Sequence, residues 1–227
     1  MMQKTKLIIF DIDGTLIDSV SGYHEVIVKA MNALGITTVD TNFNALLHHT
    51  DSYALKYNYE NFFSKELPLS LLDEFENHIV TYLKDRPKTT AILGAKKLLE
   101  CLESTEYAIA FATGSLPESA IYKMASAGLS IEPAILATSK TSFNREGFVL
   151  DAIEKAKKHY NVSSFDQIIS VGDGLWDLKT AQNLGLEFIG IGKANKGVMT
   201  ANGMKHWFEN FEAFEVPVFE IINIPAP

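Results

Sequence analysis

The first hydrophobic run of the chain ends abruptly in two carboxylates. Residues 7–10 are apolar without a break, which is typical of a strand buried on both faces. Asp11 and Asp13 follow with one residue between them, and Gly14 comes next. A turn would account for Asp and Gly at this place, whereas unpaired carboxylates are costly to bury. At this point the pattern leaves a turn and a binding site both open.

The stretch after Thr15 has the periodicity of helices. Apolar positions recur at helical spacing from 18 to about 34, and Gly35 is a natural C-terminal stop. The segment from about 40 to 83 is again helical in character, and no convincing buried strand is predicted between 16 and 86. Pro87 disfavours helix in the residue before it and therefore marks a boundary.

Beyond Pro87 two kinds of element alternate. Strands are predicted at 107–112, 134–137, 167–171 and 188–191, and helices at 94–103, 117–127, 147–160 and 175–184. Such alternation predicts a parallel sheet covered by helices on both faces. The helical block between the first strand and the rest is then an inserted domain. The pattern thus predicts an α/β fold, a doubly wound parallel sheet with a smaller α-helical insert, and says little about the tail after Val216.

Composition and charge narrow the classes of protein. The 227 residues suffice for one large or two small domains. The formal net charge of −8 gives no support to a nucleic-acid partner, since phosphate backbones recruit Lys- and Arg-rich surfaces. No apolar run approaches the length that spans a bilayer, and the short polar N-terminus is unlike a signal peptide. We expect a cytoplasmic protein without a membrane partner, and a monomer or weak homodimer.

The chain contains a single cysteine, Cys101, which rules out an internal disulfide and fits a reducing compartment. It lies in the predicted helix at 94–103, which has a mostly apolar stripe. We therefore expect Cys101 to be a buried structural thiol and not a nucleophile.

Two later strands also end in residues suited to a site. Thr113-Gly114-Ser115 follows the strand at 107–112, and Gly172-Asp173 follows the strand at 167–171. The carboxyl ends of parallel strands lie along one edge of a sheet. Five side chains from distant parts of the chain are therefore expected to converge: Asp11, Asp13, Thr113, Asp173 and Asp177.

Four carboxylates in one crevice create a charge problem that a hard divalent cation solves. Mg²⁺ prefers oxygen ligands and is often shared with substrate phosphate. No histidine pair stands at a ligand-like spacing in these strand ends, and His48-His49 is interpreted as polar helix surface in the insert. The Thr113 hydroxyl, the small Gly114 and the helix that opens near Pro117 suit an oxyanion.

These motifs resemble those of the haloacid dehalogenase-like (HAD) phosphohydrolases, and the similarity covers nearly the whole chain. Residues 11–15 match the family's DxDGT motif, Thr113 matches its Ser/Thr motif, and Gly172-Asp173 with Asp177 matches its GDxxxD motif. The helical insert lies where the family places its C1 cap domain. The resemblance implies a Rossmann-like catalytic core at 1–16 and 88–227, a helical cap at 17–87, and a Mg²⁺-dependent phosphatase acting on a small phosphorylated metabolite.

The resemblance also implies a role for each residue. Asp11 would attack phosphorus and form an aspartyl-phosphate, while Asp13 would protonate the leaving alkoxide and then activate water. Mg²⁺ would be held by Asp11, the backbone carbonyl of Asp13 and Asp173, with Asp177 supporting them directly or through water. The phosphate-binding residues would be Thr113, Gly114, Ser115 and a basic residue.

The chain departs from the family in the basic motif, which is usually a Lys, often before Pro, at the start of a helix. Residues 139–148 hold no Lys-Pro pair and offer Lys140 and Arg145 instead. We interpret Arg145 as the basic residue because it lies immediately before the predicted helix and because Arg binds phosphoryl oxygens well. In the alternative, Arg145 is a solvated surface residue and the metal alone balances the charge.

Other activities of the family stay open at this point. A phosphomutase of the β-phosphoglucomutase type shares the first step and differs in what the cap does with the phospho-enzyme. A phosphonatase would add a cap lysine, and the cap offers Lys29, Lys56, Lys65 and Lys84. The presence of Asp13 argues against a haloacid dehalogenase, and the presence of both acids of the first motif argues against a non-catalytic binding protein.

The cap is expected to set substrate choice by closing over the crevice. Residues 49–53 are candidates to face the substrate. The nearby aromatic residues are candidates as well, although most of them are expected to lie in the core of the cap: Tyr57, Tyr59, Phe62 and Phe63.

Overall fold

A six-stranded parallel sheet forms the centre of the protein. The structure is a computed structural model that describes residues 3–212, so the tail after Val216 lies outside the described residues. The strands are β1 (Lys6–Phe10), β4 (Tyr107–Thr113), β5 (Leu136–Thr138), β6 (Gln167–Gly172), β7 (Glu187–Ile191) and β8 (His206–Phe208). They lie in the order β5-β4-β1-β6-β7-β8.

Strand β1 lies inside the sheet because it is hydrophobic on both faces. The exposed fraction of each side chain from Leu7 to Phe10 is at most 1%. Strand β4 pairs with it on one side and β6 on the other, so that Phe10 stands between Phe111 and Val171. The residue that follows β1 is therefore delivered to the middle of the carboxyl edge.

Helices alternate with these strands and flank the sheet. They are α4 (Ala95–Leu102), α5 (Pro117–Ser126), α6 (Arg145–Tyr160), α7 (Leu175–Leu184) and α8 (Lys196–Ala201). Helix α6 packs on β4 and β5, and α7 packs on β6 and β7. This arrangement confirms the predicted α/β fold with a doubly wound, Rossmann-like parallel sheet. Among the described residues, no helix is both long and apolar enough to cross a membrane.

Three further helices lie between β1 and β4 in the chain. They are α1 (Tyr23–Ala33), α2 (Asp51–Phe63) and α3 (Leu71–Lys84), with a 3₁₀ turn (Phe43–Ala45) between the first two. Their apolar faces share a second hydrophobic cluster, which also includes Leu116 of the sheet domain and in which Met31, Phe75 and Ile79 are fully buried. The division into a core at 1–16 and 88–227 and a cap at 17–87 stays a prediction, with which this cluster agrees.

A two-stranded antiparallel ribbon joins the insert to the sheet domain. Its strands are β2 (Ile17–Asp18) and β3 (Thr90–Ala91), with Ile17 opposite Ala91. The predicted helix from 18 is wrong at its start, because α1 begins only after Gly22, which has a left-handed φ of 70°. A strand of two residues is too short to produce an alternating pattern, so β2 was not foreseen.

Two other predictions differ from the structure. The sequence predicts no strand after 188–191, but β8 follows it, with side chains that are only half-buried and so form no unbroken apolar run of strand length. Cys101 is exposed and not buried. Helix α4 turns Leu98, Leu99 and Leu102 into the core, and position 101 falls outside that face.

Candidate active site

Three neighbouring strands bring the predicted residues to one edge of the sheet. Asp11 directly follows β1, Thr113 ends β4, and Asp173 directly follows β6. Strands β4 and β6 flank β1, so their carboxyl ends lie side by side. Asp13 lies in the turn after β1, and Asp177 lies in the first turn of α7. The structure thus brings the five predicted side chains together.

Gly14 allows the turn after β1 to pass close to the acidic residues. Its φ of 82° lies in the left-handed region that favours glycine. A Cβ at this position would collide with the carboxylate of Asp173. The same turn places the hydroxyl of Thr15, which donates a hydrogen bond to Asp11 Oδ2 at 3.2 Å. The Gly-Thr pair therefore fits the turn against both acids.

Asp11, Asp173 and Asp177 form a compact acidic group. One carboxylate oxygen of each lies within 4.8 Å of those of the other two. Oδ1 of Asp173 is buried and has no hydrogen-bond partner among the described residues. A hard cation with oxygen ligands fits such a donor set and such an unpaired oxygen.

The acidic group favours protonated carboxyls in the absence of a cation. Burial raises the pKa of Asp11 well above its ordinary value, and Asp177 adds to the rise while Arg145 opposes it. Burial, followed by the charge of Asp177, raises the pKa of Asp173 to about 7. A divalent cation among these residues would relieve the repulsion and favour the ionised forms.

Arg145 is buried against these carboxylates. It is the first residue of α6, which Asn144 caps by accepting a hydrogen bond from the backbone N–H of Gly147. Its side chain is 9% exposed, which excludes the alternative of a solvated surface residue. Nη2 donates to Asp11 Oδ1 at 3.0 Å and also to Asp177 Oδ1.

Lys140 has a different setting. Its ammonium lies 2.6 Å from Asp73 Oδ1 and 3.4 Å from Glu76 Oε2, both on α3. These contacts tie the sheet domain to the insert. The geometry therefore brings Arg145, and not Lys140, to the acidic group.

The loop after β4 offers small polar groups beside the first motif. Thr113 Oγ1 accepts a hydrogen bond from the backbone N–H of Ser115 at 3.1 Å. Ser115 Oγ donates to Asp13 Oδ2 at 2.9 Å. A Cβ at Gly114 would lie 2.6 Å from the carbonyl oxygen of His49, so the glycine lets the insert approach this loop.

Lys123 is a site residue that the sequence reasoning missed. It is 1% exposed, and its Nζ lies 2.6 Å from Asp13 Oδ1 and 2.7 Å from Asp13 Oδ2. The same Nζ donates to Ser115 Oγ at 2.7 Å and lies 4.1 Å from the centre of the Tyr23 ring. The ammonium of Lys123 is thus held by the second acid of the first motif, by Ser115 and by the ring of Tyr23.

A signal for Lys123 was present in the sequence. On α5 it shares the buried face with Ala120 and Met124, at helical spacing. A lysine in the middle of an apolar helix face needs a partner, because a charge is costly to bury alone. That position could have identified it.

Asp13 differs from Asp11 in its electrostatic setting. Burial raises the pKa of Asp13, but the charge and hydrogen bond of Lys123, together with hydrogen bonds from Ser19 and Ser115, outweigh that effect. The pKa of Asp13 therefore lies below its ordinary value, whereas that of Asp11 lies above. The two carboxylates of one turn are held in opposite environments.

A cavity of about 420 Å³ lies where the insert meets this edge of the sheet. His24, His48 and His49 line it, and neither His48 nor His49 belongs to a helix. The interpretation of that pair as polar helix surface is therefore wrong, because the chain bends before α2. The His49 ring stacks on Trp176, with 4.6 Å between ring centroids.

The predicted substrate-facing segment at 49–53 reaches the cavity in part. His49, Thr50 and Asp51 line it, whereas Ser52 and Tyr53 do not. The four aromatic residues that follow lie outside the described lining: Tyr57, Tyr59, Phe62 and Phe63.

The start of α2 holds the insert closed over the cavity. Thr50 Oγ1 donates to the carbonyl of Phe143 at 3.0 Å, and Ser52 Oγ donates to the carbonyl of Ser139 at 2.8 Å. Both carbonyls lie in the loop between β5 and α6. The insert is thus hydrogen-bonded to the loop that precedes the site arginine.

Asp51 lies between these contacts and the site. Its backbone N–H donates to the carbonyl of Gly114 at 2.8 Å, and its Oδ2 accepts a hydrogen bond from the Tyr23 hydroxyl at 2.6 Å. Burial raises the pKa of Asp51 to about 6, while the charge of Lys123 and the hydrogen bond from Tyr23 oppose the rise.

Comparison with known families gives a match over most of the chain. The sequence profile of the haloacid dehalogenase-like hydrolases matches residues 8–191, which include the loops after β1, β4 and β6 and the whole insert. A search among curated proteins gave no match.

Solved structures with this fold cover nearly the whole chain. A HAD hydrolase of family IA from Entamoeba histolytica has a TM-score of 0.70 at 19% identity, covering 96% of this chain and 98% of that one. A predicted phosphoglycolate phosphatase from Haemophilus somnus has a TM-score of 0.61 at 18% identity, and the match covers 97% of this chain and 99% of that one. A variant of CbbY from Rhodobacter sphaeroides in complex with xylulose-(1,5)bisphosphate has a TM-score of 0.67 at 17% identity, and the match covers 93% of this chain and 96% of that one. Identities this low establish the fold, and the activity has to be argued from the site.

Proposed function

We propose, from the premise that the chain belongs to the haloacid dehalogenase-like hydrolase family, that it is a Mg²⁺-dependent phosphomonoester hydrolase acting on a small phosphorylated metabolite. The observation that carries the proposal is the setting of Asp11 between Arg145 and two further carboxylates. A carboxylate in this place is suited to attack phosphorus, because the arginine and a cation can neutralise the phosphoryl oxygens.

Asp11 is the nucleophile in this proposal. Its carboxylate oxygen bonds to phosphorus while the bond from phosphorus to the ester oxygen breaks, which gives an aspartyl-phosphate and the leaving alkoxide. Water then attacks the same phosphorus, releasing phosphate and restoring the carboxylate. Arg145, Thr113, Gly114 and Ser115 hold the phosphoryl oxygens through the guanidinium, hydroxyl and backbone N–H groups.

Asp13 moves the protons. It delivers a proton to the leaving oxygen in the first step and takes one from the attacking water in the second. Its lowered pKa suits the second role, since only the ionised carboxylate can accept a proton. The proton for the first step then has to enter with the substrate, as the monoanion of the phosphate ester brings one.

The residues that hold Mg²⁺ are Asp11, the backbone carbonyl of Asp13, Asp173 and Asp177. The unpaired, buried Oδ1 of Asp173 and the raised pKa of that carboxyl support this assignment. When bound, the cation neutralises charge on the carboxylates and on the phosphoryl group.

Two rival activities of the fold fit the cavity less well. A phosphonatase needs a cap lysine at the substrate, and no lysine of the described cap lines the cavity. A phosphomutase passes through a bisphosphate, which needs a cation for its second phosphate. The Lys and Arg residues in the described lining are Arg145 and Lys193, and both belong to the sheet domain, so the described cap offers no such cation.

Location and assembly stay predictions beside this proposal. We predict a cytoplasmic enzyme that is a monomer or a weak homodimer, with a small phosphorylated molecule as its partner. Cell fractionation and analytical ultracentrifugation test the first two points directly.

Steady-state hydrolysis of 4-nitrophenyl phosphate and of a panel of metabolite phosphates, with and without Mg²⁺, tests the function. Asp11→Asn is expected to lower kcat by at least about a thousandfold, because the nucleophile is lost. Asp166→Asn is the matched control, since Asp166 is an exposed carboxylate outside the cavity lining. Absence of Mg²⁺-dependent turnover with every compound would contradict the proposal.

A further inference from the structure

The part of the cavity wall that the insert contributes combines apolar side chains with three histidine rings. The apolar side chains in it are Val20, Ile27, Phe43, Leu46 and Ala54. Trp176 and Ile92 extend this surface from the sheet domain. A substrate covered with hydroxyls would lose water here without gaining hydrogen bonds from these side chains.

Two hydroxyls of the same wall are already engaged within the protein, and the rings of His24 and His48 pack against Phe43 and Tyr53. Thr50 Oγ1 donates to the carbonyl of Phe143, and the Tyr23 hydroxyl donates to Asp51. A polyol that bound here would have to displace these bonds, which also hold the insert in place. Recognition of a sugar through these two hydroxyls would therefore cost the hydrogen bonds that they already make.

The charge of the wall is unfavourable for a second anionic group. The insert contributes Asp18 and Asp51 to the described lining and no Lys or Arg. Burial lowers the pKa of His49, and the charge of Arg145 adds to that effect, so this histidine is neutral at pH 7. A second phosphate in the cap region would meet carboxylates and no compensating cation.

We propose that the substrate is a single phosphate ester of an uncharged, largely apolar alcohol. This inference rests on the proposed hydrolase function and specifies what the cap admits. The stacked rings of His49 and Trp176 offer a flat aromatic surface beside the phosphate site, because the carbonyl of His49 accepts a hydrogen bond from Arg145 Nη1 at 3.3 Å. A volume of about 420 Å³ holds such a small molecule.

Three phosphates of primary alcohols test the substrate class. Benzyl phosphate and glucose 6-phosphate have similar leaving oxygens and six-membered rings, and 1,6-hexanediol bisphosphate adds a second phosphate. We expect kcat/KM for benzyl phosphate to exceed the other two by at least about tenfold, because apolar contacts discriminate by this order. Equal or better turnover of the sugar phosphate or the bisphosphate would overturn the inference and leave the hydrolase function standing. Failure of all three and of 4-nitrophenyl phosphate would instead overturn the function itself.

A variant pair ties the preference to the wall. Val20 lines the cavity and is 52% exposed, so Val20→Lys adds a cation at little risk to folding. We expect it to reduce the ratio of kcat/KM for benzyl phosphate over the bisphosphate by about fivefold or more. Leu47→Lys is the control, since Leu47 is 76% exposed and outside the lining. An unchanged ratio in Val20→Lys, or an equal change in both variants, would contradict the assignment of the wall.

A second inference rests on a separate contact, the buried Lys123. Both oxygens of Asp13 are held by its ammonium, and Ser115 Oγ bridges the pair. The ammonium of a lysine that is 1% exposed loses its contacts with water, and the ion pair with Asp13 compensates for that loss. We infer that Lys123 is a positioning residue that fixes the orientation of the Asp13 carboxylate toward the leaving oxygen.

Leaving groups of different acidity test this role. In Lys123→Met, kcat for benzyl phosphate is expected to fall roughly a hundredfold, and kcat for 4-nitrophenyl phosphate less than about fivefold, since 4-nitrophenolate departs with little proton assistance. KM is expected to stay unchanged for both. Lys123→Arg, which keeps the charge, is expected to recover part of the lost rate. Equal losses for the two substrates, or no loss, would overturn the inference.

A milder substitution covers the case in which Lys123→Met does not fold. Ser19 Oγ donates to Asp13 Oδ1, so Ser19→Ala removes another contact that orients the same carboxylate. The expected result is the same preference for the better leaving group, at smaller amplitude. An unselective loss in Ser19→Ala would contradict the positioning of Asp13 by its hydrogen-bond donors.

Discussion

Arg145 binds two carboxylates through one nitrogen, Nη2. Burial lowers the pKa of its guanidinium, but the charges of Asp177 and Asp11 outweigh that effect and keep it protonated. A guanidinium has several N–H groups in a fixed plane, whereas an ammonium is a point charge. Arg145 can therefore bind both carboxylates through Nη2 and still donate a hydrogen bond to a phosphoryl oxygen through another N–H group.

Replacement of the two candidate basic residues separates their roles. Arg145→Ala is expected to lower kcat/KM by roughly 10²–10³, because it removes charge stabilisation at the phosphoryl group. Lys140→Ala is expected to change kcat/KM by less than about threefold, since half-exposed ion pairs contribute little. Kinetics with 4-nitrophenyl phosphate measure both, and the reverse ranking would contradict the assignment of Arg145.

Asp51 makes the stability of the fold depend on pH. Its pKa is about 6 in the folded protein against a model-compound value of 3.8, so the folded form binds the proton more tightly than the unfolded form. Stability is therefore lost as pH rises from about 4 to about 6 and stays lower above that range. The charges that face this carboxyl are those of Lys123, which opposes the rise in pKa, and Asp13, which adds to it.

Asp51→Asn removes this loss. Its free energy of unfolding at pH 7.5 is expected to exceed that of the wild type by up to roughly 3 kcal/mol, with little difference near pH 4. Urea unfolding at pH 4.5, 6 and 7.5 measures the change. A difference that is constant over this range would show that the carboxyl does not titrate as argued.

The acids of the site could be read from the sequence, and the apolar helix face around Lys123 indicated a buried lysine, but neither the partner of Lys123 nor the place of the histidines could be read from it. Asp11 follows an unbroken hydrophobic run and Asp173 follows the mostly apolar strand β6, and a parallel sheet brings the residues after its strands to one edge. The residues that Lys123 contacts depend on how α5 is rotated about its axis, and the position of His48 at the cavity depends on a bend before α2. Both are set by packing between distant segments, which no local pattern records.

At the scale of elements, the start of α2 controls how the insert meets the sheet domain. Thr50 caps the helix by accepting a hydrogen bond from the backbone N–H of Tyr53, and it also donates to the opposite loop. Ser52 makes a second such bond and is completely buried. The start of this helix is therefore capped by Thr50 and also hydrogen-bonded to the sheet domain.

Loss of one hydrogen bond between the insert and the sheet domain is expected to weaken the contact that covers the cavity. Ser52→Ala removes the hydrogen bond to Ser139 and is expected to raise KM about three- to tenfold with a smaller change in kcat, since the bond contributes about 1 kcal/mol. Thr81→Ala is the control, because the exposed Thr81 donates a hydrogen bond of the same kind to the carbonyl of Asn77 within α3. Equal KM values for the two variants would contradict the role of this contact.

The elements that the sequence predicted well are those that pack on more than one side. Helix α7 has the predicted bounds, and β6 extends the predicted strand by one residue. Strand β8 pairs only with β7 and is half-buried, and β2 has two residues, so neither produces a strong pattern. Burial on both faces is what makes an element visible in a single sequence.

For the molecule as a whole, the acidic group is a source of repulsion that a cation can turn into stability. A ligand that binds the folded form alone stabilises it by mass action. Mg²⁺ at about 100 times its dissociation constant is therefore expected to add about 2.7 kcal/mol to the free energy of unfolding. Thermal unfolding at several Mg²⁺ concentrations measures this gain as a rise in Tm.

Asp173→Asn is expected to abolish most of that rise in Tm, because it removes a proposed ligand. Asp166→Asn, an exposed carboxylate away from the site, is expected to retain it. If both variants respond to Mg²⁺ like the wild type, the cation binds elsewhere on the acidic surface.

The ribbon of β2 and β3 brings the two ends of the insert together at the sheet domain. Ile17 and Ala91 are partners in this antiparallel pair, and the Cα atoms of such partners lie about 4.5–5.5 Å apart. The segment between them can be exchanged for another without opening a gap in the sheet domain. Recombination can thus replace the part that admits the substrate while the carboxylates stay on their strands. We therefore expect substrate range and chemistry to change independently of each other over evolutionary time.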